Sequence, residues 1–582
     1  MEIDMRNRIL SLLLALLMLI TSTFVLASCG EPADEGGNEG ENGGGNEGGG
    51  VDTPGGEEGG EEYDWDTTSL FFQMTNNSNS QELPSGCKRY MAGEDDTAVT
   101  DLDNDIRARN ITAASRTKVS IDYDYWPDSA GYGWTGNVDR ITEQTKSGDA
   151  DAPDMYCNFV TDMVACSLLG AFANLKATEA RGKNYFTFVD RAFNGEDTGE
   201  GYMYEFMTSL TLSKFKMYLL ASDYFVDLIR AFLVVPVNIS MLNTVLQQVE
   251  GDAADYNGDG VYDVNDFYEM VKQNKWTYTK MAAYCSAIYK SDGTGAAKSI
   301  HDDRIGFAVS NYSGLPASGL VYTSSVIIIH RDWDYEKNDY SYYYPDTNTD
   351  LGNLADALYT LFNSEGIISI NNNEGATYGE DAGQAIRNRF ADNHVLFGGI
   401  ICVGSLEYPE YQAMKDASSV DDPSKGYGFG VVPVPLYRDG SDDQYLTQIH
   451  TIGKIGGISA ATTKFTQCTA FLNYLSLNST DILNSYYDNQ LQYAIADGSP
   501  GNVYMLKYIR YNVRTSFDKA FEDAMGIFYE TSNENARKER WHTILQSYGF
   551  MMTNMAERYA ELNPTKQDML ANLVRQYEDF KD

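Results

Sequence analysis

Pro153-Asp-Met-Tyr-Cys-Asn-Phe-Val160 is a short apolar run that follows a turn, and its reading as a strand decides the fold. Toward the amino terminus, residues 137–146 have helical spacing and Lys118-Val-Ser-Ile-Asp-Tyr-Asp-Tyr125 reads as a strand. Residues 101–116 read as a helix, and Ser69-Leu-Phe-Phe-Gln-Met-Thr75 reads as a strand ending at Asn76-Asn77. Strands alternating with helices predict a parallel sheet with both faces covered. Ligands of such sheets bind beyond the carboxyl ends of the strands. Here that selects Asn76, Asn77 and the segment 158–162, with Asn158 and Asp162 as candidate ligand-binding residues.

Beyond Ala231, Phe232-Leu-Val-Val-Pro-Val-Asn-Ile-Ser-Met-Leu242 reads as a strand that carries the chain to a second lobe. Further α/β material follows in Arg304-Ile-Gly-Phe-Ala-Val309, a helix near 354–362, and His394-Val-Leu-Phe-Gly-Gly-Ile-Ile-Cys-Val403. Tyr427-Gly-Phe-Gly-Val-Val-Pro-Val-Pro435 ends in a stiff connector suited to returning the chain. The remainder has apolar residues at helical spacing. More than 500 residues follow Asp64, too many for one core.

This order resembles the extracellular solute-binding proteins of bacterial ABC importers, in the carbohydrate-binding family that includes maltose-binding protein. The resemblance rests on Ala152-Pro-Asp-Met, on Asp266-Phe-Tyr-Glu-Met-Val-Lys-Gln-Asn-Lys-Trp-Thr-Tyr278, on Phe390-Ala-Asp-Asn-His-Val-Leu-Phe397, and on Tyr427 to Pro435 followed by Gly456-Gly-Ile-Ser-Ala460. It implies an α/β, two-lobed periplasmic-binding-protein-like fold of type II, with a hinge and an interlobe cleft. The first lobe would comprise 66–232 and 437–492, the second 238–432 and 497–582, with insertions around 175–213 and 332–348. It further implies capture of a sugar or oligosaccharide, delivery to ABC permease subunits, and no enzymatic activity. By position in the family pattern, Tyr312 would present a ring to the sugar and Ser405 a cleft edge. Tyr445 and His450 lie just past the hinge-like prolines as further ligand-binding candidates. A surface glycan-binding or adhesive lipoprotein is the alternative, and an anchored glycoside hydrolase a third reading. The latter would need two carboxylates facing each other at roughly 5–10 Å.

At the amino terminus, Arg6 and Arg8 precede an apolar run that ends in Leu26-Ala-Ser-Cys29. This resembles a bacterial lipoprotein signal: residues 1–28 would be removed and Cys29 lipidated, anchoring the protein at the outer face of the cytoplasmic membrane. The run is short for a span of roughly 20 apolar residues. Residues 29–65, rich in Gly and Glu, offer nothing to bury and read as a disordered tether.

Lys+Arg 43 against Asp+Glu 84 gives 43 − 84 = −41, which argues against nucleic acid and an anionic bilayer surface as partners and favours neutral or cationic ligands. Tyr 42, Phe 25 and Trp 6 supply flat rings suited to sugar faces. Cys87, Cys157, Cys166, Cys285, Cys402 and Cys468 show no metal-ligand spacing; those at 157, 166 and 402 sit in apolar runs and read as buried thiols, while export permits disulfides. Trp276 and Trp541 read as core.

The sharpest local motif runs from Asp255 to Asp266 and matches an EF-hand-type loop. Asp255, Asn257 and Asp259 supply oxygens at positions 1, 3 and 5, Gly260 the turn, Val261 a backbone carbonyl, and Asp263 and Asp266 acids at positions 9 and 12. Calcium, in a structural role, is the expected cofactor. Gly131-Tyr-Gly-Trp-Thr-Gly136 is separated from its strand by Pro127-Asp-Ser and fails as a dinucleotide loop. The five histidines show no ligand spacing.

Overall fold

The computed structural model describes residues 63–76, 86–94, 100–127, 136–147, 151–177, 181–188, 201–294, 298–310, 315–370, 382–418, 428–440, 443–491, 500–511, 518–522, 540–550 and 554–580. Its strands are β1 (Thr68–Asn76), β2 (Val119–Pro127), β3 (Met155–Phe159), β4 (Leu233–Asn238), β5 (Ile305–Ser310), β6 (His330–Asp334), β7 (Asp339–Tyr343), β8 (Ile367–Ile370), β9 (Val395–Phe397), β10 (Ile401–Cys402), β11 (Phe429–Val432) and β12 (Lys454–Ile458).

In the first sheet β1 pairs in parallel with β2 on one side and β3 on the other, and β12 adds antiparallel to β3. In the second, β5 pairs in parallel with β8 and β9, while β4 runs antiparallel to β9, β10 and β11. Each sheet thus receives one antiparallel strand as the chain arrives from the other: β4 on the way out, β12 on the way back. This reciprocal exchange is the two-lobed α/β arrangement of the type II periplasmic-binding fold. The crossing segments lie side by side, with Leu233 N–H donating to Gln448 O (3.0 Å), His450 N–H to Ala231 O (2.9 Å) and Val403 N–H to Phe232 O (2.8 Å).

Local chemistry explains the elements. Leu70, Phe72 and Met74 alternate with Gln73 and Thr75 along β1, and all five are buried because helices cover both faces. The helix Asp101–Arg116 starts at a capping box in which Thr100 and Asp103 satisfy each other's backbone amides. Asp154, ahead of β3, accepts Phe71 N–H (3.0 Å), Thr462 Oγ1–H (2.6 Å) and Lys464 Nζ (3.0 Å), so the Pro-Asp motif ties β1, β3 and the β12 exit together.

Two expected strands are shorter than their apolar runs. The 232–242 run ends as β4 at Asn238, whose side chain accepts Met241 N–H and starts the helix Ile239–Glu250. The 394–403 run divides into β9 and β10 at Gly398-Gly399, where Gly398 N–H turns to Pro236 O (2.9 Å). Trp65 donates to Thr117 O (3.0 Å) and Tyr63 O accepts Lys118 Nζ (2.6 Å), so these two residues of the stretch the sequence assigns to the tether are packed on the first lobe. Trp276 and Trp541 are fully buried as expected. The six cysteines from Cys87 to Cys468 are free and buried.

A buried charge network sits where the lobes join. Asp227 binds Lys454 Nζ (2.7 Å) and Arg230 Nη1 (2.8 Å), all three side chains being inaccessible to solvent. Arg230 also grips Glu407 (3.1 Å), which further accepts Tyr486 Oη–H (2.7 Å) and Tyr90 Oη–H (3.0 Å). Glu407 closes the short turn Val403–Glu407 after β10, so a carboxylate from the second-lobe segment is held by groups on the first.

Candidate functional site

The carboxyl edge of the first sheet gathers buried polar groups. In register, Gln73 lies opposite Tyr156 and Thr75 opposite Trp126, so these four side chains share one sheet face. The Trp126 and Tyr156 rings stand 6.3 Å apart, and the Arg140 guanidinium lies 3.6 Å over Trp126. The helices Gly136–Ser147 and Val160–Leu168 cover this face and meet at Cys166, whose thiol points at Val138 O (3.8 Å).

Several polar atoms here are unpartnered among the described residues. Both amide atoms of Gln73, the hydroxyl of Thr75, and the Nδ2 groups of Asn137 and Asn158 have no protein partner there. Asn158 Oδ1 accepts Phe159 N–H (2.7 Å), which fixes its rotamer and leaves the amide donor free. Asp162, in the first turn of the helix that follows β3, is buried with Oδ2 unpartnered. Buried polar atoms normally find a protein or water partner, which marks this cluster as the candidate site. Its members are amides, a hydroxyl and one carboxyl.

Burial pushes the Asp162 carboxyl up to about 7, so it carries a proton through mildly acidic conditions. The unfolded carboxyl titrates near 3.9. Stability tied to the protonated form is therefore complete below about pH 4 and lost as pH rises to about 7, a change on the order of 4 kcal/mol at 1.36 kcal/mol per pKa unit. Asp162→Asn should remove that dependence: urea unfolding at pH 4.5 and 7.5 should show a smaller loss with rising pH in the variant. Equal losses would show that Asp162 is ionised throughout.

The other sequence-selected residues fall as follows. His450 sits in the turn into β12, beside the carboxyl end of β3: Gly453 N–H bonds His450 O (3.0 Å) and Gly453 O accepts Val160 N–H (2.8 Å). Asn158, Asp162 and His450 thus come to one edge. Tyr445 is buried, its hydroxyl accepting Trp276 N–H (2.9 Å), and Ser405 is buried in the turn Val403–Glu407. Asn76 ends β1 opposite Pro127. Asn77 and Tyr312 lie outside the described residues. Gln73, Thr75 and Asn137 escaped the sequence reading; for the first two the signal was present, as polar residues at alternate positions of an otherwise apolar strand.

The loop 255–266 folds around its glycine. Gly260 has φ +79°, a conformation that L side chains rarely adopt. Asp255 accepts Gly260 N–H (3.1 Å), Asn257 accepts Asp259 N–H (2.9 Å) and Asp259 accepts Val261 N–H (2.7 Å). Asp266 accepts both Asn257 N–H and Asp263 N–H (3.1 Å each), completing the capping box of the helix Val264–Lys272. Asp255 Oδ1 is buried without a partner. Among the described residues no group of three or more His, Cys, Asp and Glu side chains is placed to hold a metal ion; here the carboxylates take loop amides instead.

No family model matches this chain. No curated protein matches it. Among solved structures it is similar to the galacto-N-biose/lacto-N-biose I-binding protein of the ABC transporter from Bifidobacterium longum, in complex with lacto-N-biose, at 12% identity over 88% of this chain and 99% of that one, TM-score 0.48. It is also similar to the GacH receptor of Streptomyces glaucescens GLA.O, at 15% identity over 86% and 99%, TM-score 0.42. A third is an ABC transporter solute-binding protein from Thermotoga lettingae TMO bound with α-D-tagatose, at 11% identity over 86% and 100%, TM-score 0.40.

Proposed function

We propose that this chain is a solute-binding protein that captures a sugar or oligosaccharide by hinge closure and hands it to the permease subunits of an ABC importer. Lipid on Cys29 holds it to the outer face of the cytoplasmic membrane. The observation that carries the reading is the reciprocal strand exchange, which gives two sheets joined through crossing segments that can bend. The chemistry of the first sheet's carboxyl edge supports a neutral ligand, with amide groups such as that of Asn158 suited to sugar hydroxyls. A formal charge of −41 disfavours anions. The reading assigns the chain no covalent chemistry.

A thermal-shift screen of mono- and oligosaccharides tests this, since a ligand at 100 times its Kd stabilises the native state by about 2.7 kcal/mol. At least one sugar should raise the melting temperature and be recovered intact after long incubation. Asn158→Ala, losing one hydrogen bond, should weaken that sugar about tenfold, or roughly 1.4 kcal/mol. Sugar cleavage would move the protein to the hydrolase reading, and retention on insoluble glycan with no soluble sugar bound would move it to the adhesive one.

We also propose that the loop 255–266 takes one Ca²⁺, gathered by Asp255, Asn257, Asp259, the Val261 carbonyl, Asp263 and Asp266, as a brace for the helix Val264–Lys272. Extracellular calcium modules bind with Kd of roughly 10⁻⁴–10⁻³ M. Titration calorimetry at millimolar Ca²⁺ should show one site that Asp259→Ala weakens; identical heats from the two proteins would dismiss it.

A further inference from the structure

The two stretches that read as insertions, around 175–213 and 332–348, meet in the folded chain. The end of the first lies in the first-lobe segment, and the second forms the β6–β7 hairpin of the second-lobe segment. Asp339 accepts Ser213 Oγ–H (2.5 Å) and Lys214 N–H (2.8 Å), and Lys214 Nζ reaches Asn338 Oδ1 (3.0 Å). The buried Tyr342 hydroxyl donates to Thr211 O (3.1 Å). On the same hairpin Arg331 donates to Thr208 O (3.3 Å).

A second bridge runs beside the first. The helix Met555–Asp579 has 25 residues, about 37 Å at 1.5 Å per residue. Its first half belongs to the second lobe: Tyr559 and Asn563 donate to Pro345 O (2.8 and 2.9 Å), Gln567 accepts Tyr344 N–H (2.7 Å) and the Tyr559 ring stacks on Trp541 (5.2 Å). Its far end belongs to the first lobe. Lys216 Nζ donates to the carbonyls of Tyr577, Glu578 and Phe580 (3.1, 3.0 and 2.6 Å), meeting the acceptor groups that every helix carboxyl terminus leaves over. Tyr577 returns a bond to Lys216 O (3.0 Å) and its ring meets Tyr218 edge-on (5.2 Å). Phe580 lies against Gly170, just past the helix Val160–Leu168, so closely that a Cβ there would come within 2.8 Å of the ring.

None of these residues belongs to the crossing segments at 231–238, 401–403 and 448–454. We propose that the hairpin and the long helix together form a strap that limits how far the two lobes separate, so that hinge motion stays within a narrow range unless the strap is released. The proposal rests on the two-lobed hinge reading and is independent of what the cleft binds. A rigid rotation about the crossing segments has to stretch the Asp339 and Lys216 contacts at once. The polar groups they satisfy would be left bare unless water replaced each bond.

The test needs no ligand. Genetically encoded spin labels replace Ile111 in the first lobe and Gln248 in the second, both exposed positions, and pulsed dipolar spectroscopy reads the distance between them in the full chain. The otherwise native chain should give one narrow distribution. Asp339→Ala with Lys216→Ala should shift it to longer, broader distances, while Asp339→Asn, which keeps an acceptor, should stay near the native value. Unchanged distances in the double variant, or a native distribution as broad as the variant's, would overturn the strap. Should the double variant fail to melt cooperatively, Asp339→Ala alone is read by the same criterion. Failure of the sugar screen would leave this result untouched.

Discussion

Asp227→Ala should destabilise the protein by about 3–5 kcal/mol, the range for removing one partner of a buried ion pair. Asp227 stands between Lys454 and Arg230 with no solvent access at any of the three side chains. Arg230 would keep Glu407, but Lys454 would lose its carboxylate in a site where water cannot replace it. Burial pushes the Asp227 pKa up, and the attraction of Lys454 and Arg230 outweighs it, leaving the carboxyl below its ordinary range. Because the folded value is lowered, this contribution is present above the unfolded pKa of about 4 and is lost as pH falls through the folded value. Urea unfolding at pH 7 should show the loss, and Asp227→Leu combined with Lys454→Met should recover most of it, since removing both charges also removes the need to pair them. An alanine variant within 1 kcal/mol of the native protein would mean that the network contributes little.

Cys29→Ala should abolish lipidation altogether. In the proposed maturation the Cys29 thiol is the acceptor of diacylglycerol, and no other residue of Leu26-Ala-Ser-Cys29 can replace it. One acyl chain gives only marginal membrane binding, whereas two give stable anchoring, so the effect approaches all or none. Cells fed a tagged fatty acid should label the native protein and leave the variant unlabelled, as a precursor still carrying residues 1–28. Normal maturation of the variant at this site would sink the lipoprotein reading.

The local elements were legible in the sequence because their causes are local. The run Ser69–Thr75 read as a strand and lies within β1, and the helix read at 101–116 has those bounds. The antiparallel entry of β12 was not legible, because Lys454 pairs with Phe159 across nearly three hundred positions and no local pattern records the partner. At the site, Asn158 and Asp162 could be picked out because they lie at and just past the carboxyl end of a strand. Asn137 could not: which face of the helix Gly136–Ser147 is buried depends on how it docks against the sheet. Tyr445 looked like a cleft residue by its place after the prolines, but its hydroxyl meets Trp276, a contact that tertiary packing alone creates. The strap was the least visible feature, since Lys216 and Tyr577 have nothing in common along the chain.

The six cysteines between Cys87 and Cys468 are all free thiols shut inside the protein. A fold with no cross-links among its described residues asks nothing of an oxidising compartment. The packing described is therefore one in which all six thiols are reduced. A version without residues 1–29 should melt at the same temperature with and without thiol reductant; a shift between the two would mean that oxidation of these thiols alters the packing.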